Sequence, residues 1–144
     1  MKKAETVTND VIAKTAKLLA GAKTVYLATN GSHGHPDLRA MMPIVVEGAR
    51  TVWFATSPGT NKVLELRNDN HAVIYVEGPR MSGECRLWGY VEILDDMESK
   101  KKVWNNEIAK HFPGGIESMT VLRFDAYSGV YADKNWETFP FEIE

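Results

Sequence analysis

"TVWFATSPGTNKVLELRNDN", residues 51–70, decides how the rest of the chain is read. Its first six residues have the apolar, β-branched and aromatic character of a strand, Ser57-Pro58-Gly59 supplies a turn, and a helix starts near Lys62. A strand therefore runs directly into a helix whose first turn carries a lysine. A helix N-terminus presents unpaired N–H groups and a partial positive charge, Thr56 and Ser57 add hydroxyls, and Gly59 lets backbone come close. With Asn61 and Lys62 these residues can cradle a phosphate. The nucleotide-binding P-loop is excluded by its own pattern, because Asn61 stands where that motif needs glycine and Val63 where it needs Ser or Thr. Taken alone, "TSPGTNK" is a weak signal, since a capped turn with a solvated lysine has the same composition.

Working outward, the apolar spacing marks a helix over about 9–20, with Thr8 or Asn9 as its cap, Val11, Thr15, Leu18 and Leu19 on one face, and Gly21 at a left-handed C-terminal position. Three β-rich runs follow, 24–29, 38–47 and 51–56, separated by "NGSHGHPD" and the tight turn "EGAR". Beyond the helix at about 61–67, the runs 71–77 and 85–94 form a second hairpin across "GPRMSGE". Met97, Lys101, Trp104, Ile108 and Phe112 share helical spacing in one long helix closed by "FPGG", with Asp95 and Asp96 at its positive end. Two last strands, 119–125 and 128–133, lead into the tail 134–144. The connections between the first strands are too short for parallel crossovers, so the expectation is one mainly β domain over 1–144, a six-stranded antiparallel barrel over about 24–133 with peripheral helices.

Composition narrows the partners. A formal charge of −2 with 25% charged residues argues against a nucleic-acid stripe or a polybasic membrane patch. Cys85 is the only cysteine, and Lys14, Lys17 and Lys23 interrupt the N-terminal apolar run, so a cytoplasmic protein is expected.

Arg39 strengthens the anion reading. If the run 38–47 pairs antiparallel with 51–56 through "EGAR", Arg39 lies beside Thr56, and a guanidinium and an ammonium converge on one site. The order "VYLAT…G…P…RAMMPIVV…TVWFATSPGTNKVLELRNDNHAVIYVE…GYVEIL" resembles the flavin-binding split-barrel proteins related to pyridoxamine 5′-phosphate oxidase, in particular their short bacterial branch that includes the general-stress proteins; "HFPGG" supports the same branch. The resemblance covers about 10–133.

It implies a split barrel that binds flavin mononucleotide (FMN), with haem or a deazaflavin as the cofactor in some relatives. It implies that Arg39 contacts FMN, that the backbone of Ala40, Met41 and Met42 follows the ring edge, and that Ala55, Thr56 and Ser57 line the ribityl-phosphate side. Lys62 matches the phosphate-binding lysine, Asn61 stands where the oxidases have an arginine, and Glu84 falls where they carry a glutamine. A homodimer with flavin at the subunit interface is implied, with Trp136 from the tail able to cover the ring of the other subunit. Ile44 replaces a lysine that holds the substrate phosphate in true oxidases, and the tail "KNWETFPFEIE" has no match for their late basic residues. The expected function is an FMN-binding oxidoreductase that serves a small-molecule donor and acceptor and does not oxidise pyridoxamine phosphate. The alternative is a flavin-binding or stress-protective module without turnover.

Other candidates carry less. His33 and His35 have no nearby partners to complete a metal set. Cys85 has no sequence-local activator and reads as a structural thiol. Trp104 reads as core, whereas Trp136, Phe139 and Phe141 form an apolar cluster that needs a surface to pack on. No Ser-His-Asp set, paired carboxylates or zinc spacing appears, so any redox chemistry belongs to a cofactor.

Overall fold

The computed structural model describes the backbone from Lys2 to Glu144 and the side chains from Val7 onward. The fold is mainly β. Eight antiparallel strands form one sheet: β1 (Val25–Asn30), β2 (Pro36–Met41), β3 (Val45–Glu47), β4 (Thr51–Thr56), β5 (His71–Glu77), β6 (Gly83–Leu94), β7 (Thr120–Asp133) and β8 (Thr138–Glu142). The spatial order is β2-β1-β5-β6-β7-β4-β3, with β8 also on β7. The two ends of that path, β2 and β3, are consecutive in the chain and joined only by Met42, Pro43 and Ile44, so the sheet curls back on itself as a split barrel.

Four helices dress this sheet: α1 (Lys2–Gly21), α2 (Asn61–Asn68), α3 (Met97–Val103) and α4 (Asn106–Ala109). No described helix is long and apolar enough to cross a membrane. The barrel core is built from Leu27, Val52, Phe54, Ile74, Leu87, Leu122 and Phe124, capped by Val11 and Leu19 of α1 and by Val63 and Leu66 of α2. A second cluster joins the other face of β4 and β7, through Trp53 and Val121, to Val103 and Ile108 of α3 and α4. Strand β4 is thus covered on both faces, which is why "TVWFAT" is buried almost throughout.

Several boundaries differ from the sequence expectation, each for a local reason. Eight strands form rather than six. The run 38–47 is not one strand: it breaks at Met42–Ile44, where Pro43 has no N–H to give a ladder. Helix α1 begins at Lys2, so Thr8 and Asn9 lie inside it and are not caps, and Gly21 is its last residue without a positive φ. The expected long helix is two, because the Asn105 side chain accepts from Ile108 N at 2.8 Å and starts a new helix while Trp104 is extended. The runs 119–125 and 128–133 are one 14-residue strand. It runs through a bulge: Trp88 pairs with Ser128 and Gly89 with Ala126, so Tyr127 is the extra residue, on β7, and falls in the gap expected between two strands. The tail contains β8, whose Phe141 packs into the barrel core.

Candidate functional site

The strand-to-helix junction opens into a cavity of about 410 Å³, within the ~300–1,000 Å³ typical of small-ligand clefts. Its walls come from four places: Ala40 and Met41 at the end of β2 with Met42 and Ile44 beyond it; Ala55, Thr56 and Ser57 at the end of β4; Thr60 and Lys62 at the start of α2; and Ile108, His111 and Phe112 around α4. Hydroxyls and the lysine gather at the β4–α2 junction, whereas Met41, Met42, Ile44, Ile108 and Phe112 are apolar. The lining suits an amphipathic ligand with one anionic end.

The junction's backbone explains the polar end. Thr60 is the N-cap of α2, with its carbonyl accepting from Val63 N at 3.1 Å and Leu64 N at 3.3 Å. Its hydroxyl turns back to donate to Ser57 O at 3.1 Å and caps nothing. Among the described residues, the N–H groups of Asn61 and Lys62 find no protein acceptor, so two helix donors and the positive dipole end are available. Lys62 is half-buried, and its Nζ donates to Thr56 Oγ1 at 2.9 Å. Burial and then the neighbouring charge of Arg39 push its ammonium below the usual lysine range. A partly desolvated cation without a carboxylate partner among the described residues favours an incoming anion.

Arg39 is not placed as expected. It sits on β2 opposite Leu27 of β1, because the segment that pairs with β4 is β3 and not the whole run 38–47. Its Nη1 donates to Thr29 Oγ1 at 2.6 Å, and its Nη2 to Glu65 Oε1 of α2 at 3.0 Å. It neighbours Lys62 but does not line the cavity. Asp37 and Glu65 face each other closely enough to share a proton, which pushes the Asp37 carboxyl up. The same contact, with Thr29 and Arg39, holds Glu65 below the usual range.

Of the residues proposed from sequence, Ala40, Met41, Met42, Ala55, Thr56, Ser57 and Lys62 meet in this one cavity. Asn61 is exposed at the first position of α2. Glu84 and Trp136 meet elsewhere, in a small hollow shared with Tyr75, Met81 and Asp133, where the Tyr75 hydroxyl donates to the Glu84 carboxylate. That bond and burial push the Tyr75 phenol far up. Trp136, at φ 65°, is 60% exposed and Met81, at φ 58°, is 61% exposed. Ile108, His111 and Phe112 were not anticipated at the site; the apolar spacing of Ile108 and Phe112 was the available signal.

Fold and cavity together define a split-barrel protein with an anion-seeking cleft at a strand-to-helix junction. The chain belongs to the pyridoxamine 5′-phosphate oxidase like family, whose profile matches residues 10–144. In structure it is similar to a protein from Clostridium acetobutylicum related to general stress protein 26 of B. subtilis, of the pyridoxinephosphate oxidase family. The TM-score is 0.85 at 29% identity, over 93% of this chain and 95% of that one. General stress protein 26 from Bacillus anthracis shares the fold, with TM-score 0.72 at 18% identity over 88% and 96% of the two chains. A haem-binding protein from Mycobacterium smegmatis shares it too, with TM-score 0.74 at 14% identity over 92% of this chain and 57% of that one. A search of the curated proteins found no match.

Proposed function

We propose that this chain binds FMN in the junction cavity and works as a cytoplasmic flavin-dependent oxidoreductase with a small-molecule donor and acceptor. The observation that carries the reading is Lys62, a half-buried cation without a counter-ion among the described residues, beside two unpartnered helix N–H groups and at the edge of an apolar cleft. A phosphate satisfies that end, and a flat ring system suits Met41, Met42, Ile44 and Phe112. Bound flavin would supply the redox step, passing a hydride or electrons between donor and acceptor. The chain's part is to anchor the phosphate through Lys62, Thr56 and Ser57, to hold the ring against 40–42, and to keep water from it with the apolar wall.

Haem is the competing cofactor, for which His111 with Met41 or Met42 would offer axial ligands; what favours FMN is the single concentrated anion anchor at the start of α2, suited to one phosphate and not to the two propionates of haem. A deazaflavin phosphate would use the same anchor. The functional unit we propose is a homodimer with the flavin at the interface, supported by the exposed Trp136 and Met81 beside Glu84, an apolar tip suited to covering a partner's open cleft. Ile44 in the cavity wall offers no charge to a second phosphate, so pyridoxamine phosphate is not the substrate.

The test is to release and identify the cofactor of purified protein by mass spectrometry, titrate FMN into cofactor-free protein, and follow reoxidation by an acceptor panel after NADH or NADPH reduction. Protein that is colourless and binds no added FMN refutes the site. Reduced flavin that no acceptor reoxidises faster than oxygen favours the non-catalytic module. Steady oxidation of pyridoxamine 5′-phosphate overturns the substrate claim.

A further inference from the structure

The lysines of this chain keep different chemical company. Lys14 pairs with Asp10 at 3.0 Å and Lys102 with Glu47 at 2.8 Å, so a carboxylate holds each of these ammonium groups. Lys110 and Lys134 are exposed to water. Lys62 lines the junction cavity, where its Nζ meets the Thr56 hydroxyl at 2.9 Å and no carboxylate stands in the lining. Burial and then the like charge of Arg39 push this ammonium below the usual lysine range. At a given pH, Lys62 therefore carries more of the neutral amine than a water-exposed lysine does, and the neutral amine is the nucleophilic form.

The same lining suits one kind of electrophile. The N–H groups of Asn61 and Lys62 have no protein acceptor among the described residues, and Thr56 and Ser57 line the same end of the cleft. A phosphate held there leaves the group it carries beside the Lys62 amine, because the N–H donors and the nucleophile belong to the first two residues of one helix. We propose that Lys62 is an acylation site, modified by small acyl phosphates that the β4–α2 junction holds through their phosphate.

In the step, the lone pair of Lys62 Nζ attacks the acyl carbon and a C–N bond forms. The bond from that carbon to the phosphate oxygen breaks, its electron pair leaves with inorganic phosphate, and the proton lost from the amine passes to water. The product is a neutral amide, so acylation deletes the cation at the junction. The acylation stands on the cavity and the amine alone. Its consequence, that a modified chain lets go of FMN while bound FMN shields the amine, rests on the reading of the cavity as a phosphate-anchored flavin site.

The experiment treats cofactor-free wild type with acetyl phosphate and, in parallel, with the N-hydroxysuccinimide ester of acetic acid, an acetyl donor without phosphate. Peptide mass spectrometry follows the initial rate at each lysine. With acetyl phosphate, Lys62 should react about fivefold or more faster than Lys110 and Lys134, the gain of a partly deprotonated amine beside its bound donor. The ratio of Lys62 to Lys110 should be about threefold or more higher with acetyl phosphate than with the ester, and added inorganic phosphate should bring it down to the ester's value. Lys62 reacting no faster than Lys110 overturns the proposal. So do equal ratios for the two donors, or a ratio that phosphate leaves unchanged, because the junction then does not hold the acyl phosphate. Bound FMN should slow Lys62 acetylation by either donor, and the acetylated protein should lose about 10- to 30-fold in FMN affinity while keeping its affinity for riboflavin. Unchanged FMN affinity after acetylation overturns the consequence drawn for the cofactor. If wild type takes up no FMN, the flavin reading fails, and the acetyl phosphate ratios still decide whether Lys62 is an acylation site.

Discussion

Replacing Lys62 by methionine keeps the length and apolar bulk of the stem and deletes the charge at the junction. In the flavin-bound protein the ammonium would make a charge-assisted contact to phosphate, worth about 1.5–3 kcal/mol net, or roughly 10- to 150-fold in Kd. Because Lys62 is half-buried and not enclosed, solvent screening places the expected loss in the lower part of that range, about 10- to 30-fold. Riboflavin affinity should change by less than about twofold, since only the phosphate is served. Asn61→Ala should cost less than Lys62→Met, because Asn61 is exposed, uncharged and outside the cavity wall. The unliganded variant should melt at the same temperature as wild type or higher, because it no longer holds a partly desolvated cation without a counter-ion.

The pH dependence follows from the same residue. Lys62 titrates below the usual lysine value in the free protein, and a bound phosphate raises it. FMN affinity is therefore full below the depressed free-state value and falls as pH rises through it toward the bound-state value. For folding the sign is the reverse: the stability cost of this lysine is full at lower pH and fades between the depressed folded value and the unfolded value near 10.5. Isothermal titration with FMN and riboflavin across pH 7–10, with thermal melts of the unliganded proteins, checks both halves. Equal losses for FMN and riboflavin, or equal effects of Lys62→Met and Asn61→Ala, would refute the claim that Lys62 anchors a phosphate.

Two further expectations concern the scaffold. Burial, with Glu84 beside it, pushes the Cys85 thiol up to about 12, so a thiol reagent at pH 8 should label it only at the rate of unfolding; fast stoichiometric labelling of native protein would contradict its burial. Phe141→Ala should destabilise by about 3–5 kcal/mol in urea melts, because β8 places that ring in the barrel core; a loss below about 1 kcal/mol would mean the tail is not part of it.

The parts of the fold legible in the sequence are those where punctuation and periodicity agree. β4 and β5 begin and end where the residues predict, since Gly48, Ser57-Pro58-Gly59 and Asp69-Asn70 bound them and their apolar runs are unbroken. The misreadings share a cause, a tertiary partner that outvotes a local pattern. Trp104, Ile108 and Phe112 keep helical spacing across a real break, because spacing does not register that the Asn105 side chain has captured Ile108 N. The tail looks like an ending, yet Phe139, Pro140 and Phe141 pair with Tyr131, Val130 and Gly129 of a strand long enough to hold β4 on one half of its edge and β8 on the other.

The site divides along the same line. Thr56, Ser57 and Lys62 were legible because seven consecutive residues place them, and Ala40 to Met42 because the same strand run leads to them. Arg39 was located by assuming that one register held from residue 38 to 47. The break at Pro43 hands its strand to β1, and its guanidinium goes to Thr29 and Glu65. Nothing in a one-dimensional pattern distinguishes an arginine that lines a cleft from one that pairs with a helix carboxylate beside it, because the type, the strand and even the neighbourhood are the same. The difference lies in a carboxylate three positions after the lysine. In the sequence Glu65 is one more polar residue of an amphipathic helix; in the fold it accepts from Thr29 and Arg39 and ties the start of α2, with Lys62, to the β1–β2 hairpin.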